Sequence, residues 1–153
     1  MAIEHVNIPD GERHEPKGIS TATADQLYAA NGSGSGVWRE VPFVFSSVLP
    51  DVSAPSFVLI PIPFNCIIQS IKYTLGGAIT VANSTITVTR GGGSAMGTQV
   101  IAYSGSAEGT TFSQTPSGNN TITASTHNYI KIATDGGSTT TAPLYISVRA
   151  KVI

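Results

Sequence analysis

Residues 66–90 read CIIQSIKYTLGGAITVANSTITVTR, and this stretch decides the fold class. β-Branched and aromatic residues dominate both halves, and Gly76-Gly77 separates them, which predicts two strands joined by a β-hairpin or by a tight strand-to-strand corner. In the second half Ile86 and Val88 alternate with threonine, the period of two that is typical of a strand with one buried face. The core is therefore predicted to be a sheet and not a helical bundle.

The strand that begins at Cys66 and the last strand of the chain alternate in the same way. The first has two predicted faces, Ile67, Gln69, Ile71, Tyr73 and Leu75 on one side and Ile68, Ser70, Lys72 and Thr74 on the other. The last, LYISVRAKV, has the cleanest pattern, with an apolar face of Leu144, Ile146, Val148, Ala150 and Val152. Each pattern predicts a strand that packs one face on a core.

Short strand-like segments separated by Gly and Pro turns continue throughout residues 41–153. The other predicted strands are Phe43 to Val48, Ser56 to Ile62, Ile79 to Thr89, Gln99 to Ser104, Thr121 to Ala124 and Tyr129 to Thr134, with a short one at Thr111 and Phe112. Pro61 and Pro63 cannot donate to a ladder, so their segment is predicted to be an edge strand or an extended rim. About eight strands without intervening helices predict a β-sandwich or a small barrel, and a jelly-roll-like β-sandwich suits this length best.

Residues 1–40 differ in composition from the rest of the chain. They hold six of the nine Asp and Glu residues and few large apolar side chains, so they cannot bury enough surface to fold alone. We predict an extended N-terminal arm that becomes ordered on something else. One short helix is predicted within residues 20–32, where Thr21 or Thr23 caps its start and Asn31-Gly32 its end. Trp38 either pins the arm to its own domain or contacts a partner.

The composition excludes several classes of function. Charged residues make up 11% of the chain, against roughly 25% in ordinary soluble proteins. The net charge is −1 and no cluster of Lys or Arg occurs, so no nucleic-acid partner is predicted. No apolar run reaches a membrane span and no segment resembles a signal peptide, so we expect a soluble protein made in the cytoplasm. Cys66, the single cysteine, is predicted to be a small buried hydrophobic residue.

No catalytic, cofactor or metal site is predicted. The ligand-type residues of the N-terminal segment match no metal-binding spacing; they are His5, Glu12, His14 and Glu15. Only three acidic residues follow residue 41, and all three lie in predicted loops: Asp51, Glu108 and Asp135. These are few candidates for the carboxylate pair of a glycosidase. The glycine-rich residues 91–97 lack the Gly-Lys-Ser/Thr ending of a phosphate-binding loop. We therefore predict that the protein is not an enzyme.

Faces rich in Thr, Ser, Asn and Tyr follow the predicted strands. Charge-depleted surfaces that carry aromatic residues are typical of oligomer interfaces. We predict that Phe64, Tyr129 and Tyr145 lie in such an interface. The alternative is a β-domain whose polar faces are simply solvated.

Residues 14–38, HEPKGISTATADQLYAANGSGSGVW, resemble the start of many tailed-bacteriophage virion proteins. The matching positions are His14, Pro16, Lys17 and Gly18, the alanine-rich residues 22–30, the Gly/Ser residues 32–36, and Trp38. Residues 62–92, the Gly105–Gly109 element and the closing LYISVRAKV strand resemble the β-domain of phage head-decoration and head-fibre proteins.

This resemblance implies a homo-oligomer, usually a trimer, on the exterior of a phage capsid after synthesis in the host cytoplasm, with no cofactor. The N-terminal arm, residues 1–40, would bind the major capsid protein and tie neighbouring capsomers together, and the β-domain, residues 41–153, would form the trimer body. The expected capsid-binding residues are Ile8, Pro9, Arg13, His14, Pro16, Lys17, Leu27, Tyr28 and Trp38. The alternative is a tail-fibre or baseplate adhesin whose Tyr, Asn and Trp residues bind a host glycan.

Overall fold

The computed structural model describes residues 26–30, 36–40 and 42–153, and the regular structure in these ranges is entirely β-strand. The chain divides into two compact units, Met1–Val41 and Pro42–Ile153.

The described part of the first unit is an antiparallel pair of strands. β1, Gln26–Ala30, pairs with β2, Gly36–Glu40, and Tyr28 lies opposite Trp38. The predicted helix is therefore wrong over residues 26–30, while its remaining positions, 20–25 and 31–32, lie outside the described residues. A helix of about two turns is marginal without packing, whereas the strand brings two large aromatic rings together across the pair.

The second unit is a sandwich of two antiparallel sheets. Its strands are β3 (Phe43–Leu49), β4 (Ser56–Pro61), β5 (Cys66–Leu75), β6 (Ser84–Arg90), β7 (Ala95–Ile101), β8 (Thr111–Gln114), β9 (Thr121–Ile122), β10 (Tyr129–Thr134) and β11 (Leu144–Val152). One sheet has the order β3-β11-β5-β8, with β9 also paired to β5, and the other has the order β4-β10-β6-β7. The predicted all-β sandwich is confirmed, and so is the edge position of the proline-bearing strand β4.

The strands on either side of Gly76-Gly77 do not form a hairpin. β5 pairs with β11, β8 and β9, while β6 pairs with β10 and β7, so the chain crosses between sheets over residues 76–83. The Gly76 N–H donates to the Pro143 carbonyl at 2.8 Å, and a Cβ on Gly76 would lie 2.6 Å from Pro143 Cγ. Of the two predicted alternatives, the hairpin is wrong, and a strand-to-strand corner agrees with the crossing between sheets. The sequence left both open because alternation and turn residues mark strands and breaks without specifying the pairing partner.

A β-bulge changes the buried face of β5 partway along the strand. The register to β11 shifts between Arg149 and Ala150, so Ile68 is buried near one end of β5 and Ile71 is buried beyond the bulge. The uninterrupted alternation predicted from the sequence is therefore wrong at Ile67 and Gln69, because one extra residue reverses the phase of a strand. The predicted inward face of β11 is confirmed from Leu144 to Ala150.

Other strand boundaries also differ from the predictions. The strand predicted from residue 79 begins at Ser84, the one predicted over 99–104 spans 95–101, and the one predicted over 121–124 ends at Ile122. Residues 79–83 contain Ile79, Val81 and Ala82 but form no strand, and Val81 has a φ of 73°. Composition therefore predicted strand where the chain turns between the sheets.

The core lies between the two sheets and is almost wholly aliphatic. Cys66 is fully buried, as predicted, and burial raises the pKa of its thiol to about 11. The main buried polar contact is a 2.6 Å hydrogen bond from the Tyr73 hydroxyl to Gln114 Oε1, and burial raises the pKa of Tyr73. At one end of the sandwich, the Ser84 hydroxyl donates to the Val52 carbonyl at 2.7 Å and accepts from the Ser138 N–H at 3.1 Å. These bonds hold the inter-strand loops against the sheets.

Candidate interaction surfaces

In the first unit, two of the predicted capsid-binding residues contact each other. The Tyr28 and Trp38 rings lie 5.1 Å apart at 63°, an edge-to-face pair, and both residues are half-buried. A Cβ on Gly36 would lie 2.7 Å from Tyr28 Cε1, so glycine is required there for the ring to pack on the strand. This pair orders one face of the β1–β2 ribbon.

The opposite face of the ribbon carries exposed apolar groups. Leu27, also predicted to bind the capsid, is 61% exposed, and Val37 is 44% exposed. They lie on the same face because Leu27 pairs with Arg39 and Val37 with Ala29. This face is therefore available to a partner. The other predicted contacts, Ile8, Pro9, Arg13, His14, Pro16 and Lys17, lie outside the described residues.

In the second unit, the outer face of the β4-β10-β6-β7 sheet carries an apolar area along β4 and β10. Its members, named here the β4–β10 strip, are Phe57, Leu59, Pro61, Tyr129 and Ala133. Phe57 is 56% exposed and Leu59 48%. The Lys131 ammonium lies 4.3 Å from the Phe57 ring centroid, a cation–π contact within the strip.

Phe57 and Leu59 were not predicted to be surface residues, although the sequence of β4 carries a signal for it. Along SFVLIP both alternating sets are apolar, whereas a strand with a solvated face alternates apolar and polar residues. Such a run indicates a strand covered on both faces. In this structure Ile60 is buried in the core and Leu59 faces outward.

The three predicted interface aromatics do not form one surface. Tyr129 belongs to the β4–β10 strip, whereas Tyr145 lies on the outer face of the other sheet. Phe64 is half-buried against the core, with its ring centroid 4.8 Å from that of Phe43 and 5.8 Å from that of Phe45. Phe43 is the more exposed ring of this cluster.

A groove on the outer face of the β3-β11-β5-β8 sheet has a volume of about 360 Å³. Two cross-strand rows of outward side chains form it: Val48, Tyr145 and Thr74 in one row, and Ser46, Ser147 and Lys72 in the next. The groove exists because small serines lie beside the larger Tyr145 and Lys72. We name it the Tyr145 groove.

Two acidic side chains of the second unit, Asp51 and Asp135, lie in loops and serve local structure. The Ser53 N–H and hydroxyl both donate to Asp51 at 2.8 Å, and these bonds hold the pKa of Asp51 below its ordinary value. Burial raises the pKa of Asp135, but the N–H groups of Thr85 and Gly137 donate to its carboxylate at 2.8 and 2.9 Å and leave that pKa lowered. Both carboxylates therefore cap turns.

Two kinds of site are not found in the described ranges. Residues 26–30, 36–40 and 42–153 contain no group of three or more His, Cys, Asp or Glu that could hold a metal ion. The same ranges contain no helix with the length and hydropathy needed to cross a membrane.

No known protein family matches the chain, and no curated protein matches it in sequence. Among solved structures, a chain of the cyanophage Pam1 capsid asymmetric unit is similar at 15% identity and a TM-score of 0.48, covering 88% of this chain and 99% of that one. A chain of the disulfide-linked pili of Bacillus endospore appendages is similar at 16% identity and a TM-score of 0.36, covering 74% of this chain and 88% of that one. With TM-scores below 0.5, these similarities assign neither a family nor a function to this chain.

Proposed function

We propose that the protein is a virion structural protein that binds the outer surface of a phage head and stabilises it as a decoration, or cement, protein. The β4–β10 strip carries this proposal. A protein with 11% charged residues that still exposes more than half of Phe57 on a strand apolar on both faces is suited to packing against other protein chains. Residues 14–38 resemble the start of tailed-bacteriophage virion proteins, and residues 62–92 resemble the β-domain of phage head-decoration and head-fibre proteins. Together these resemblances support the phage head as the location.

We also propose that the second unit is a jelly roll. Its two sheet orders, β3-β11-β5-β8 and β4-β10-β6-β7, support this, because a jelly roll divides eight strands between two four-stranded sheets through two Greek keys. β9 is then an accessory strand on β5.

The β4–β10 strip would bind a second copy of the chain, in a homotrimer. Covering the exposed parts of Phe57 and Leu59 removes roughly 200 Å² of apolar surface from water, which at about 25 cal/mol per Å² stabilises the assembly by up to about 5 kcal/mol per copy. A stable interface needs roughly 800 Å² per partner. The strip would therefore be the apolar centre of a larger contact.

Residues 1–40 would act as the capsid-binding arm. Leu27 and Val37 on the β1–β2 ribbon would present apolar surface to the major capsid protein. The contact between the Tyr28 and Trp38 rings stabilises the strand pair. Ordering an arm on binding reduces the affinity of each copy, and several linked copies restore it through avidity. Bridging two capsomers in this way opposes their separation, a mechanical function that needs no catalytic residue.

The experiment is gold labelling of intact particles with an antibody against this chain, viewed by electron microscopy. We expect label spread regularly over the head. Label confined to the tail tip or fibres would refute decoration and favour the adhesin. In a second experiment, purified full-length protein and its Leu27→Asp variant are added separately to stripped heads, and their binding is compared. Leu27→Asp should weaken binding at least fivefold because it places a charge on the exposed apolar face of the ribbon.

A further inference from the structure

The Tyr145 groove combines one exposed aromatic ring, one cation and several hydroxyl groups. Tyr145 is 52% exposed, and Gly76 gives its ring room, since a Cβ there would lie 3.0 Å from Tyr145 Cε2. Lys72 lies on the next row of the adjacent strand, paired with Ser147. Diagonal neighbours of this kind are roughly 7–8 Å apart at Cα. A single small ligand can therefore touch both side chains.

The charge on this face favours an anion. The outward residues of β3, β11, β5 and β8 include Lys72, Arg149 and Lys151 and no Asp or Glu. Among the described residues, Lys72 has no carboxylate partner, whereas Lys131 on the opposite sheet lies over the Phe57 ring. An ammonium held beside a sheet without acids can form a charge-assisted hydrogen bond to an incoming carboxylate.

We propose that the Tyr145 groove binds an acidic saccharide, with one sugar ring stacked on Tyr145 and its carboxylate paired with Lys72. The C–H groups of a sugar ring carry partial positive charge and pack on the negative face of an aromatic ring. Hydroxyl groups of Ser46, Thr74 and Ser147 can donate to and accept from sugar hydroxyls. The volume of about 360 Å³ is near the lower limit of roughly 300–1,000 Å³ for small-molecule sites. This activity is independent of where on a virion the protein lies.

The test is an NMR titration of the full-length protein with trigalacturonate, with its methyl ester as the uncharged probe. We expect binding in the low millimolar range or tighter, amide shifts at Lys72, Tyr145 and Ser147, and at least fivefold weaker binding of the ester. Lys72→Met should reduce trigalacturonate affinity at least fivefold and abolish the preference over the ester. The matched variant Lys131→Met removes a cation from the other sheet and should leave affinity unchanged.

A Tyr145→Ser variant tests the stacking contact separately, and it should weaken the acid and the ester equally. No binding at a trigalacturonate concentration 20 times the expected low-millimolar Kd would overturn the proposal. So would a loss of affinity in Lys131→Met equal to that in Lys72→Met. An affinity for tetraglutamate that equals the affinity for trigalacturonate, and that Tyr145→Ser leaves unchanged, would also overturn the proposal. The face would then bind acidic peptides through charge alone. Concentration-dependent shifts at the same amides without any ligand would instead identify this face as a contact between copies and would also overturn it.

Discussion

Replacing Tyr73 with Phe is expected to destabilise the second unit by about 2 kcal/mol. The Tyr73 hydroxyl donates to Gln114 Oε1 at 2.6 Å inside the core, and Gln114 Nε2 is already buried without a hydrogen-bond partner among the described residues. Tyr73→Phe therefore leaves both Oε1 and Nε2 of the Gln114 side-chain amide without a hydrogen-bond partner. Losing a buried hydrogen bond costs about 1 kcal/mol, and leaving a desolvated amide costs about 1–3 kcal/mol.

A double-mutant cycle with Gln114→Met measures the pair. Gln114→Met alone should cost about 1–2 kcal/mol because the Tyr73 hydroxyl becomes unpaired, whereas the double variant should lie within about 1 kcal/mol of the parent since no orphan polar group remains. Urea unfolding followed by circular dichroism measures the midpoint, which should fall by roughly 1 M for Tyr73→Phe at a slope of about 2 kcal/mol per M.

The same substitution at an exposed tyrosine is the matched control. Tyr145 is 52% exposed, and Tyr145→Phe should change stability by less than about 0.5 kcal/mol. Additive effects of Tyr73→Phe and Gln114→Met would refute the reasoning, because the two side chains would then contribute independently. A double variant less stable than either single variant would refute it as well.

Three further predictions concern backbone, charge and assembly. Gly97→Ala should lower the free energy of unfolding in urea by about 2 kcal/mol or more, since φ is +138° and the new Cβ would lie 2.8 Å from Gln114 Nε2. Gly93→Ala, at a φ of +86° with open space around the new Cβ, should lower it by about 1 kcal/mol. Asp135→Ala should lower stability at pH 7. The difference should shrink as the pH falls below the ordinary Asp pKa of 3.8 and through the lowered native pKa, because a lowered pKa stabilises the fold only while the group is ionised. A constant difference from pH 7 to pH 2 would contradict this. Phe57→Asp should shift the protein towards monomer in sedimentation velocity. Val100→Asp, at an exposed apolar site on the opposite edge strand β7, should not. Equal effects of the two variants would exclude the β4–β10 strip as the interface.

Much of the second unit could be predicted because alternation of apolar and polar residues, and prolines, mark its strands within the local sequence. The alternation of β11 identified its buried face from Leu144 to Ala150, and the prolines of the 61–63 segment identified β4 as an edge strand. Both features are local, since a side-chain period of two and a missing N–H act within a single strand. The burial of Cys66 followed in the same way from its apolar neighbours.

The candidate sites were harder to predict than the strands. Tyr145 was predicted to lie in an oligomer interface, which stays a prediction, and the groove beside it requires Ser46, Ser147 and Lys72 from three different strands. Phe64 was predicted to lie at an interface, which stays a prediction, and its half-buried ring packs with Phe45 against the core. Which aromatic side chains remain exposed depends on neighbours that are distant in sequence.

By itself, the amino-acid sequence determined an all-β domain poor in charge, preceded by a segment of different composition, because period, turn residues and charge content are properties of short stretches. Tertiary structure alone decided that β5 and β6 lie in opposite sheets, that a bulge opposite Arg149 changes the buried face of β5, and that Gln26–Ala30 is a strand. The first two depend on contacts between residues far apart in the chain, and the third depends on pairing with Gly36–Glu40. Local propensities of a fraction of a kcal/mol per residue cannot decide between partners that each bury several apolar side chains.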